Sequence, residues 1–114
     1  MVVNCKNNVC SGIYYLGTLG PLSRSNKDKH WTSSNDEYAI WFDDEFGNWK
    51  IGLKKNRGTS KCAMHSFITE TDDQDDSRPI GKSWVYYNGQ NWVTDEEIIV
   101  KNDPGNFFNA IVTV

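Results

Sequence analysis

Strong helix formers are scarce in this chain. Alanine, leucine and methionine together supply nine of 114 residues, which excludes a helical bundle or a long amphipathic helix as the organising element. No stretch approaches the roughly 18 apolar residues of a membrane-spanning helix, and the N-terminus lacks an apolar signal region. The net charge is −3 and the pI about 5.2, so the basic excess of a dedicated nucleic-acid or anionic-membrane binder is missing. There are only two histidines. No Asn-x-Ser/Thr site occurs among 12 asparagines, which favours an intracellular or non-glycosylating setting. Location stays open between the cytoplasm and a secreted domain whose leader lies outside this sequence. Leu, Ile, Val and Phe total only 25 residues, close to the border with disordered composition.

What is present answers that last deficit. Val, Ile, Phe, Trp and Tyr number 31, five of them Trp, and such side chains suit a pleated, half-buried surface. Asn, Asp, Gly and Ser add 40 residues of turn chemistry. The composition is that of a soluble, tryptophan-rich all-β protein, a single domain over residues 1–114. Residues 1–11 read as an N-terminal segment, and residues 22–37 and 69–83 as long polar loops. Apolar runs at residues 13–16, 38–42, 49–53, 62–68, 84–87, 90–93, 98–101 and 107–114 read as strands. In the third, Trp49, Ile51 and Leu53 share one face and Lys50 and Gly52 the other. In the fourth, Cys62, Met64, Ser66 and Ile68 alternate with Ala63, His65 and Phe67. Asn88-Gly89 is the pair a type I′ hairpin turn favours. Residues 94–99 open like a capping box but lack further helical periodicity. Seven or eight short antiparallel strands imply a sandwich or a small barrel.

Two hairpins share a vocabulary. Ile40-Trp41-Phe42, a Gly-containing turn and Asn48-Trp49-Lys50-Ile51 compare with Val85-Tyr86-Tyr87, Asn88-Gly89 and Asn91-Trp92-Val93. A weak two-fold internal duplication explains the likeness; convergent hairpin chemistry explains it equally well.

Three cysteines leave an odd count. Cys5, Cys10, Cys62 and His65 offer the donor types of a Cys₃His zinc site. Against zinc, the two ligand pairs lie 51 residues apart in sequence, and positions 62 and 65 of a strand face opposite ways. The alternatives are a disulfide from Cys62 to Cys5 or Cys10, or three reduced thiols. Asp73, Asp75 and Ser77 alternate like the start of a calcium loop, but Arg78 stands where the turn glycine belongs and Trp84 at the twelfth position. A flexible acidic loop is the simpler reading, so no cofactor is expected. No catalytic signature is present, and the acidic runs at residues 43–45, 72–76 and 95–97 read as solvated loop charge. The five positive charges in residues 50–61 read as a solvated hairpin tip.

The tryptophans carry the functional expectation. Trp31 sits among polar residues with no apolar neighbour on a shared face. Adjacent rings at Trp41-Phe42, Tyr86-Tyr87 and Phe107-Phe108 must send one member of each pair to the opposite face. Some aromatic surface is therefore expected to be exposed, with Trp31, Trp41, Trp49, Tyr86, Tyr87 and Trp92 as the candidate ligand-binding set. Aromatic platforms beside Asn, Asp and Gln suit a carbohydrate, through stacking and hydrogen bonds. The same surface would also serve a protein partner or a homodimer. A non-enzymatic binding module is the expectation.

Overall fold

A computed structural model describes residues 10–18, 29–43, 45–67, 79–80, 83–94 and 98–114. Among these residues there are nine strands: β1 Gly12–Thr18, β2 Lys29–Ser33, β3 Tyr38–Asp43, β4 Asn48–Leu53, β5 Met64–Ser66, β6 Trp84–Tyr87, β7 Trp92–Thr94, β8 Ile99–Asp103 and β9 Asn106–Thr113. They form one antiparallel sheet in the order β7-β6-β5-β4-β3-β2-β1-β9-β8. The chain meanders from β1 to β7, then continues at the far edge, where the β8–β9 hairpin pairs back onto β1. Among the described residues no helix is long and apolar enough to cross a membrane.

That connection forces curvature. Laid flat at a spacing of about 4.8 Å, nine strands would place their edges about 38 Å apart. Thr94 ends one edge strand and Ile99 begins the other, so five peptide steps, at most about 18 Å, must join them. The sheet curls into a half-barrel. One buried cluster fills its inner face, with Tyr14, Trp31, Ile40, Trp49, Ile51, Met64, Trp84, Val100 and Val112 contributed from strands along the whole sheet. The all-β expectation holds; of the expected sandwich or small barrel, a sandwich is not formed, and a single nine-stranded sheet curls into a half-barrel instead of seven or eight strands.

The ninth strand is β2, which falls in the segment expected to be a loop. Trp31 has the apolar neighbours that its own segment lacks, because it pairs with Leu16 on one side and Ile40 on the other. Its indole N–H donates to Phe108 O at 2.9 Å. The alternation in β4 falls as expected, with Trp49 and Ile51 in the core. Trp49 also packs edge-on to Trp31 at 5.7 Å and to Phe42 at 5.2 Å. Small Ser66 lies between Trp49 and Trp84 and accepts the Trp49 backbone N–H at 2.9 Å.

The β6–β7 turn differs from the expected two-residue type I′. Tyr87 pairs with Trp92, leaving four loop residues, and only Gly89 there has positive φ. Asn88 instead uses its side chain as a cap, accepting from the backbone N–H groups of Gln90 and Asn91, each at 2.8 Å. The acidic segment 72–77, Cys5 and residues 95–97 lie outside the described residues.

Candidate functional site

On the outer face, opposite the core, a groove of about 530 Å³ is lined by Phe46, Asn48, Lys50, Ser60, Cys62, His65, Ser66, Phe67 and Trp92. Its rim is aromatic. Phe46 is 48%, Phe67 50% and Trp92 46% exposed. Each is placed by a different element: Phe46 by the β3–β4 turn, Phe67 by the residue following β5, and Trp92 by edge strand β7.

The floor is polar and buried. Lys50 points outward because β4 alternates, and its ammonium donates to Asn48 Oδ1 at 2.8 Å and pairs with Asp43 Oδ2 at 3.4 Å. Both partners of that ion pair are almost wholly buried, so the arrangement holds two compensated charges at the groove floor. The same ammonium sits 4.9 Å from the centre of the Phe46 ring, a cation–π contact that holds the rim ring over the floor. Asp43 also builds the turn that presents Phe46, since its Oδ1 accepts from the Glu45 and Phe46 backbone N–H groups. Two readings are thereby corrected. Asp43 is a buried structural anion rather than solvated loop charge, and Lys50 is not part of a solvated tip.

His65 faces Lys50 across the β4–β5 pair, and its ring packs 4.6 Å from that of Trp92. Tyr87, the cross-strand partner of Trp92, packs against the indole with ring centres 5.4 Å apart. The His65 Nδ1 lies 3.0 Å from Ser66 O. A carbonyl only accepts, so Nδ1 carries the proton and Nε2 keeps its lone pair in the neutral ring. Burial, together with the positive charge of Lys50, holds the His65 pKa below its ordinary 6.5, outweighing the bond to Ser66 O, which acts the other way.

Cys62 reaches the groove because β5 begins only at Met64, which frees Cys62 from the alternation expected for one continuous strand. The loop carrying it folds back over the outer face. A Cβ placed on Gly52 would stand 3.0 Å from Cys62 Cα and 3.2 Å from the Trp41 ring, so only glycine allows this approach. Trp41 is covered by the same loop and donates its indole N–H to Thr59 O at 3.0 Å. Cys62 and His65 therefore line one groove, which the strand argument did not foresee. Burial pushes the Cys62 thiol up to about 11, so it stays protonated and weakly nucleophilic near neutral pH. Cys62 carries a free thiol, whereas Cys10 is disulfide-bonded, which leaves Cys10 no thiolate to contribute to a Cys₃His zinc set. Both alternatives to zinc are thereby corrected, since Cys62 forms no disulfide and Cys10 is not a reduced thiol; no grouping of metal-ligating side chains occurs among the described residues.

Of the six aromatic candidates, the fold divides core from surface. Trp31, Trp41 and Trp49 are fully buried, and Tyr86 is half-buried against the inner cluster. These four are not available as a stacking platform. Trp92 and its support Tyr87 remain, joined by Phe46 and Phe67, which the sequence reading passed over. A usable signal existed for Phe46, a ring inside a turn with no strand face to share. No family model, curated protein or solved structure matches the chain.

Proposed function

We propose that this protein is a binding module whose outer-face groove takes a carbohydrate. One observation carries the reading: three half-exposed rings, Phe46, Phe67 and Trp92, rim a polar floor of buried Lys50 and Asn48 and half-buried His65. A sugar presents an apolar face of C–H groups and an edge of hydroxyls. Rings around the rim suit the first, and donors and acceptors in the floor suit the second. Lys50 is already paired within the protein, but a purely apolar partner would cover the His65 Nε2 lone pair without bonding it, which disfavours a hydrophobic ligand. The test is a printed array of neutral and acidic glycans probed with the protein and with Trp92→Ala. The expected result is a set of glycans held by the parent and lost, by about tenfold or more, in the variant. Retention of no glycan would remove the reading.

A protein contact is favoured elsewhere on the molecule. Ile13 and Ile111 pair across β1 and β9 on the outer side, and Tyr15 and Ile99 are each 49% exposed nearby. This strip of exposed apolar side chains suits association with a protein or a second copy. Sedimentation across a range of concentrations would detect self-association through it.

A further inference from the structure

The groove's hydrogen-bonding groups can be assigned proton by proton. Lys50 can only donate, so the Asn48 atom it contacts is the oxygen, and the Asn48 NH₂ group faces away from the ammonium. Neither that nitrogen nor His65 Nε2 has a protein partner among the described residues, and neither is a fully buried orphan. Both therefore remain accessible, one as a donor and the other as an acceptor. Asn48 is two residues from Lys50, the cross-strand partner of His65. The two are diagonal neighbours on one face, about 7–8 Å apart between Cα atoms. Both side chains line the same groove, so neighbouring hydroxyls of one ligand can address the two of them.

We propose that His65 Nε2 and the Asn48 amide nitrogen bind two neighbouring hydroxyls of an uncharged sugar, and that protonation of His65 releases it. This rests on the carbohydrate reading of the groove. One hydroxyl donates to Nε2 and the other accepts from the Asn48 N–H. Net charge at the floor is low, because Asp43 balances Lys50 and the Cys62 thiol is neutral, so nothing selects for an acidic sugar. The other elements packed against His65 present Val85 from β6 and Trp92 from β7, neither of them titratable, and Tyr87 packs against Trp92. Adding a proton to Nε2 turns the acceptor into a donor and places a second cation beside Lys50. Both changes oppose binding, so affinity falls as pH drops through the His65 titration.

The experiment uses the intact protein on printed neutral, carboxylated and sulfated glycans at about pH 7.5 and about pH 4.5. The neutral glycan held best is then titrated into protein whose His65 ring is followed by NMR. Neutral glycans are expected to bind at the higher pH and to weaken about tenfold at the lower one. In His65→Gln the amide oxygen keeps an acceptor that does not titrate, so binding persists at both. Saturating glycan is also expected to lower the His65 titration midpoint, a readout that a merely structural role would leave unmoved. Preference for acidic glycans, or a midpoint that glycan leaves in place or raises, overturns the proposal while leaving the carbohydrate reading intact. Retention of no glycan at either pH overturns both.

Discussion

The hairpins β3–β4 and β6–β7 use the same pieces on opposite faces. In the first, Phe42 pairs with Trp49 and both turn into the core. In the second, Tyr87 pairs with Trp92 and both turn outward, beside His65. The cause is parity. β3 begins with inward Tyr38, and Phe42 lies four residues on; β6 begins with inward Trp84, and Tyr87 lies three residues on. An odd offset reverses the face of every later side chain. The likeness of the two hairpins thus stops at local chemistry, and a duplication would have to have changed register. The comparison teaches that an aromatic cross-strand pair specifies a hairpin but leaves its face to be set by the strand's anchor in the core. The aromatic pair of the first hairpin fills the interior; Trp92 of the second rims the groove, whose floor comes from β4 and β5.

Exchanging the roles of the two tryptophans is the strongest way to break this comparison. Trp49→Ala removes a fully buried ring from a cluster of rings and is expected to cost about 3–5 kcal/mol in urea denaturation. Lys50→Met leaves Asp43 buried without its cation and should cost about 3 kcal/mol or more, with most of the loss recovered by adding Asp43→Asn. Gly52→Ala drives a methyl group toward the Cys62 backbone, and a loss of about 1–3 kcal/mol is expected by the same measurement. Trp92→Ala, by contrast, trims a half-exposed ring and should cost about 1 kcal/mol while abolishing glycan retention. The smallest effect sharpens the picture through pH. His30 and His65 both have native pKa values held below the unfolded 6.5, His30 by burial and then by Arg57 and Lys54. The unfolded chain therefore binds more protons below pH 6.5, so their contribution is fully present above that pH and is lost as pH falls toward the native values. Denaturation midpoints measured across that window should rise with pH.

Fold class was readable from residue chemistry, because β-branched and aromatic residues outnumber helix formers and turn residues punctuate them. Eight of the nine strands overlap runs of visible apolar residues. β2 escaped because Lys29-His30-Trp31-Thr32-Ser33 has one large apolar residue, and its partners lie on other strands. Curvature was hidden for a related reason: the short link from β7 to β8 means little until strand order is known. At the site, Trp92 and Tyr87 were legible as rings but not as outward rings. Phe46, a single ring in a turn, and Phe67, readable only as one member of an alternating strand, carried no sign of a shared surface. The Asp43–Lys50 pair was hidden because each residue belongs to a run of like charge, and only the hairpin register brings the two together. Cys62 and His65 were kept apart by assuming that one strand ran through both.

The most direct test follows the five indole N–H signals in ¹H–¹⁵N spectra while the best-held neutral glycan is titrated in. Trp92 is expected to shift progressively while Trp31, Trp49 and Trp84, sealed on the inner face, hold their positions. A shift confined to the inner-face indoles, with Trp92 unmoved, would contradict an outer-face site.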